Sequence, residues 1–220
     1  MTKKLLLIGK DILVFVSFWY MSFIISSFLS YKGITDYNLI SLIAYAIIFA
    51  LLLILYSNNF KEYLKDFKTS YKQNLLKYLL IGILSIILMN IMSSFIASFV
   101  NKLPENESAV RQTLGGSNII IAFLNIGFMV PLCEETIFRL NFKNLFKNKI
   151  IFSIFTGLLF GAAHLLSSNS LIDILYAIPY VFMGFMLSYI YADSNNLLYS
   201  IIVHMLNNIG TLLLLLMVGL

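Results

Sequence analysis

Charge is scarce in this chain. Only 11% of its 220 residues are Asp, Glu, Lys or Arg, and 60% are hydrophobic. A soluble domain runs near 25% charged and 45–50% apolar. The shortage excludes an ordinary solvated globule. Cysteine is nearly absent too. Cys133 stands alone, so no intramolecular disulfide is possible and the redox compartment is unreadable. Histidine occurs twice, at His164 and His204. The chain shows no internal repeat and no low-complexity tract.

What is present is long apolar sequence, with mean hydropathy +0.91. A spanning helix needs about 17–25 mostly apolar residues. Seven stretches meet that length, near 11–30, 38–57, 76–100, 119–141, 150–167, 171–191 and 196–217. The fold class expected is all-α, a polytopic membrane bundle of about seven helices embedded in the lipid bilayer. MTKKLLLIGK is basic like a signal peptide. However, the apolar run after it is too long for an h-region and no A-x-A site follows. It reads as an uncleaved first helix.

The net charge of +5 would suggest nucleic acid in a soluble protein. Its placement gives another reason, and no nucleic-acid partner is expected. Lys3, Lys4 and Lys10 precede the first span; Lys61, Lys65, Lys68, Lys72 and Lys77 lie between the second and third; Arg139, Lys143, Lys147 and Lys149 join the fourth and fifth. If the chain alternates, these twelve share one side. Lys32, Lys102 and Arg111 fall on the other. The positive-inside rule then places the N-terminus in the cytoplasm and the C-terminus outside, in a plasma membrane. The richness in Lys, Asn and Ile hints at an AT-rich genome.

Helices 1–3 occupy 1–100. Near 58–75, Phe60, Tyr63, Leu64, Phe67 and Tyr71 recur at helical spacing among lysines. That pattern predicts an amphipathic helix on the inner leaflet. A polar loop with Pro104, Glu105, Glu107, Gly115 and Gly116 fills 101–118, and helices 4–7 occupy 119–217. Pro131 cannot donate to the carbonyl of Gly127, so a kink is expected there, and Pro179 is expected to act similarly on helix 6.

Two adjacent acids interrupt the fourth span. One uncompensated carboxylate at bilayer depth costs roughly 2.5–3.5 kcal/mol, so Glu134, Glu135 and Arg139 together cost on the order of 8 kcal/mol unless satisfied. Consecutive helical residues lie about 100° apart, so the two acids face different ways. Glu135 and Arg139 stand at i, i+4 with the acid first, the favourable order for an ion pair. Glu135 is therefore expected to be neutralised structurally. Glu134 is left free, and an unpaired carboxyl in a poorly solvated site suits a general base. Phe160 and His164 share one helical face, as do His204 and Asn208. Glu134, His164 and His204 sit two to four turns from the same ends of their helices. A carboxylate, two imidazoles and an amide at one depth offer a base, a water-positioning group and two oxyanion donors.

Glu134-Glu135-x-x-x-Arg139, Phe160-x-x-x-His164 and His204-x-x-x-Asn208 resemble the three motifs of the CPBP intramembrane proteases. That family includes the type II CAAX prenyl endopeptidases and the bacterial Abi proteins, some linked to bacteriocin processing and self-immunity. The resemblance covers roughly Ile119 to Leu216. It implies peptide-bond hydrolysis in the membrane, at the cytoplasmic half of the bilayer. Glu134 with His164 would activate water, and His204 with Asn208 would stabilise the oxyanion. Glu135, Arg139 and Phe160 would support the site. The family is commonly called metalloproteases. Glu134, His164 and His204 have ligand types suited to zinc or another divalent metal with one open position. A metal-free mechanism would use the same residues, and both stand open. The substrate expected is a pheromone, a bacteriocin precursor or a membrane-protein tail.

Other protease signatures are missing: the chain has no H-E-x-x-H, no G-x-S-x-G and no G-x-G-D. Cys133 adjoins Glu134, but a buried cysteine usually behaves as a small apolar residue. Two competing classes remain. A non-catalytic immunity or regulatory scaffold of the same fold would tolerate loss of motif residues, and none is missing. A proton-coupled transporter usually carries an inverted repeat, which the sequence lacks.

Overall fold

A computed structural model describes residues 2–100, 107–108, 110–111, 114, 118–166 and 171–218. No strand occurs among them. The chain runs through α1 (Thr2–Tyr31), α2 (Tyr37–Leu55) and α3 (Ser57–Val100). Four consecutive helical stretches follow, Ile119–Ala122, Phe123–Met129, Val130–Glu135 and Thr136–Leu140, here taken together as α4. Then come α5 (Lys149–His164), α6 (Ala177–Ser194) and α7 (Leu197–Val218). Among the described residues, six helices are long and apolar enough to cross a membrane. The chain is a multi-pass helical membrane bundle.

Local chemistry sets several boundaries. Asp36 caps α2 by accepting from the Leu39 N–H at 3.0 Å. Asn148 caps α5, its Oδ1 taking the N–H groups of Ile150 (2.8 Å) and Ile151 (3.2 Å). Asn195, with φ of 55°, closes α6 in the left-handed region that asparagine tolerates.

Three sequence expectations change. The segment 58–75 and the span 76–100 are one unbroken helix of 44 residues, α3, about 66 Å long. No proline or glycine separates its lysine-rich half from the start of its apolar half, so the change in polarity does not end it. The predicted span 150–167 shortens to the 16 residues of α5, about 24 Å, and is not of full spanning length. The predicted span 171–191 begins as a 3-10 turn, Leu171–Tyr176, and becomes α-helical at Ala177. Pro179 therefore sits in the first turn of α6, where its missing N–H has no carbonyl to satisfy, and it does not kink the helix. Most of the predicted loop 101–118, with Pro104, Glu105, Gly115 and Gly116, lies outside the described residues.

The basic ends of the helices gather at one end of the bundle. Asp193 at the end of α6 takes Lys77 Nζ and Lys149 Nζ, each at 2.8 Å. Lys143 reaches Asn195 Oδ1. The Tyr56 hydroxyl donates to Asn141 Oδ1 at 2.7 Å, and Asn141 Nδ2 donates to the Asp11 carbonyl at 2.8 Å. The tyrosine hydroxyls of Tyr63 and Tyr191 meet at 2.7 Å. Beneath these contacts lies an aromatic-rich core that includes Phe60, Phe138, Phe142, Phe152 and Tyr191.

Helices α5 and α6 touch backbone to backbone. A methyl group on Gly157 would meet the Phe185 nitrogen at 2.8 Å and the Val181 oxygen at 2.9 Å. On Gly184 it would meet Phe160 Cβ at 2.8 Å. Small residues spaced as Gly157-x-x-x-Gly161 permit this approach in a membrane, where packing rather than hydrophobicity holds helices together. The close crossing carries Phe160 and His164 inward.

Candidate active site

The local geometry of α4 begins at its proline. The preceding stretch, Phe123–Met129, is π-helical, and the Val130 N–H bonds to the Asn125 carbonyl five residues back. In that register Pro131 deprives the carbonyl of Ile126, not that of Gly127, of its donor. Asn208 Nδ2 fills the gap, donating to the Ile126 carbonyl at 2.8 Å. A second π-helical stretch, Thr136–Leu140, follows the Glu pair. Such bulges shift side-chain phase locally and occur often at functional sites.

The two acids are divided as their phase requires. Glu135 and Arg139 are both fully buried, and Glu135 Oε1 lies 3.0 Å from Arg139 Nη1. The guanidinium has further partners. Its Nε donates to Ser188 Oγ at 3.2 Å, its Nη2 to the Gly184 carbonyl at 3.3 Å, and it sits 4.6 Å over the Phe160 ring. Ser188 is itself saturated, accepting from Thr156 Oγ1 at 2.7 Å and donating to the Gly184 carbonyl at 2.7 Å. The guanidinium is thus held by the Glu135 carboxylate, Ser188, the Gly184 carbonyl and the Phe160 ring.

His204 joins the same carboxylate. Its Nδ1 lies 2.8 Å from Glu135 Oε1, and its Nε2 lies 3.7 Å from Glu134 Oε2. Since the carboxylate accepts, Nδ1 carries the proton and Nε2 points to the second acid. His164 is fixed in the same way. Its Nδ1 lies 2.8 Å from the Phe160 carbonyl, which only accepts, so Nε2 is the nitrogen left available. The ring stacks on Tyr180 at 4.3 Å, tilted by 18°. Phe160 is the hub of the site, 4.4 Å from the His164 ring, 5.8 Å from His204 and 5.3 Å from Phe138.

Glu134, His164, His204 and Asn208 all line one cavity of about 460 Å³. Glu135 and Arg139 stand behind it. Every site residue expected from the sequence is therefore in or against one cavity. Cys133 is fully buried, with its thiol 3.4 Å from the Tyr45 carbonyl.

Residues 116–210 match the family model described as type II CAAX prenyl endopeptidase Rce1-like. This segment is similar to an Rce1-like domain. It holds Glu134, Glu135, Arg139, Phe160, His164, His204 and Asn208, in agreement with the resemblance carried by the three motifs. The chain is also 28% identical over 99 residues to the UPF0177 protein YxdF of Lactococcus lactis subsp. lactis (strain IL1403). That alignment covers 45% of this chain and 52% of the relative, so the chain spans about half the length of that curated protein. No solved structure matches the chain.

Both imidazoles have one nitrogen anchored and the other available, the pattern that outer-shell partners impose on ligating histidines. However, the described residues hold no group of three His, Cys, Asp or Glu side chains gathered as a ligand set. As arranged, Glu134, His164 and His204 do not fit a three-ligand centre, and no step below runs through one.

Sequence reasoning missed part of this candidate site. It paired Glu135 with Arg139 but not with His204, because α4 and α7 are separated by residues 141–196, whose packing has no local signature. It missed Ser188 and Thr156, ordinary small polar residues in apolar helices. It also missed the cavity amides Asn125 and Asn207. An intramembrane Asn is a usable signal for the last two, since its amide must find partners.

Proposed function

We propose that this chain is an intramembrane endopeptidase that hydrolyses a peptide bond with water activated by Glu134 and His164. The observation that carries the reading is the meeting of Glu134, His164, His204 and Asn208 around one cavity inside a membrane bundle. Glu134 is the acid without a guanidinium partner, and its Oε removes a proton from water. His164 Nε2 accepts a hydrogen bond from the same water and aims it. The hydroxide formed attacks the scissile carbonyl carbon. Asn208 has one amide proton committed to Ile126 and one to offer the oxyanion. His204 Nε2 becomes a donor once it takes the proton from Glu134 across the 3.7 Å gap. Glu135 faces the resulting imidazolium and stabilises it. That proton then passes to the leaving amide nitrogen, and the peptide bond breaks. A positioned general base is worth about 10²–10⁴-fold and one oxyanion donor about 10²–10³-fold.

The substrate in this reading is a bacteriocin precursor, a signalling peptide or a membrane-protein tail. Comparative peptidomics of cells carrying the parent or Glu134→Gln protein tests it. A peptide produced only by the parent is expected, with equal amounts of both proteins in the membrane. No difference in peptides, or loss of the variant from the membrane, overturns the assignment of Glu134 as base.

A further inference from the structure

The cavity is lopsided. On the side of the basic helix ends lie the buried Glu135–Arg139 pair and the aromatic core around Phe138, Phe142 and Phe152. On the other side its lining runs to Tyr37, the first residue of α2, which is 71% exposed, and to Glu107, between α3 and α4. The wall between mixes apolar side chains such as Trp19, Met89 and Leu212 with polar groups. It presents the hydroxyls of Ser22, Ser26 and Ser41 and the amides of Asn90, Asn125 and Asn207. Among the described residues, the buried Oδ1 atoms of Asn125 and Asn207 accept no hydrogen bond from the protein. A buried acceptor without a donor is costly, so these oxygens await one. Among the described residues no lysine or arginine lines the cavity, and Glu107 is already paired with Arg111 at 2.8 Å.

We infer that this cavity is a vestibule for an extended, uncharged or basic peptide segment, entering from the face opposite the basic helix ends. By the positive-inside rule that face is the outer one. The inference rests on the hydrolase reading for its purpose, but not for its geometry. A peptide backbone offers an N–H at every residue, which unpartnered amide oxygens accept. An isoprenoid or acyl chain offers none, and would bury the hydroxyl and amide wall without compensation. An acidic segment would meet Glu134 with no cation to balance it.

Single cysteines test this in a Cys133→Ala background. Ser41→Cys and Asn90→Cys lie on the vestibule wall, and Lys65→Cys marks the basic end. Each is treated with a membrane-impermeant maleimide in intact cells and in inverted vesicles. The expected result is labelling of the two wall positions from the face opposite Lys65→Cys. An unstructured Ser/Lys peptide should suppress it, whereas a poly-Glu peptide and farnesol should not. Wall labelling from the same face as Lys65→Cys, or from neither face, overturns the route. Suppression by farnesol alone, or by no probe, overturns the substrate class. The readout needs no turnover, so it separates this inference from the hydrolase reading, which Glu134→Gln tests.

Discussion

Arg139→Met isolates what the buried charge pair contributes. The change removes the cation and keeps a long apolar side chain in its place. Glu135, fully buried and 3.0 Å from the guanidinium in the parent, is left as an uncompensated anion. Breaking a buried pair by deleting one partner costs about 3–5 kcal/mol. The His204 Nδ1–H still donates to Glu135, which holds the loss toward the lower part of that range. At roughly 2–4 °C per kcal/mol for a chain of this size, the melting temperature should fall by about 6–20 °C. Purified protein in detergent micelles, heated and assayed for the monodisperse fraction, gives the measurement. The double variant Glu135→Gln/Arg139→Met keeps an acceptor for His204 and leaves no charge behind. It should recover more than half of the loss, because the penalty belongs to the orphaned anion rather than to missing contacts. A single variant within about 1 kcal/mol of the parent, or a double variant no more stable than the single, refutes the reasoning.

Other outcomes follow from the same coordinates. Gly157→Leu drives a side chain into the α6 backbone at Phe185 and Val181; overpacking costs about 1–3 kcal/mol or more, read as lower yield of folded protein, and normal yield would count against the close crossing. Pro131→Ala restores an N–H that competes with Asn208 Nδ2 for the Ile126 carbonyl. Its proteolysis should drop more than its thermal stability, and full activity would refute a positioning role for that carbonyl. Asp193→Ala removes two ion pairs with half-exposed lysines; exposed pairs contribute about 0–1 kcal/mol each, so its melting temperature should move by only a few degrees, and a collapse of the fold would show those contacts to be undervalued here.

The membrane class was legible because hydropathy acts over whole segments. The Glu135–Arg139 pair was legible because i, i+4 geometry is local to one helix. The grouping of His164 and His204 was legible once two rare polar residues had to share a bundle with two acids. What escaped had no local record. The bond from His204 to Glu135 depends on the crossing of α4 and α7. The π-helical register that moves the proline's orphaned carbonyl from Gly127 to Ile126 depends on how Asn208 of α7 packs. The joining of 58–75 to 76–100 escaped because a change of composition suggests a boundary, while a helix ends only where its backbone is interrupted or capped.

That joining has a mechanical consequence. From Phe60 to Asn90, α3 is one continuous rod of about 45 Å. Phe60 is buried among the aromatic residues at the lysine-bearing end, and Asn90 stands on the cavity wall. Pivoted at Phe60, a rigid tilt of about 5° carries Asn90 sideways by about 4 Å, close to the width of an extended strand spacing. A change in the tilt of α3 at its lysine-bearing end therefore changes the bore of the chamber far from it.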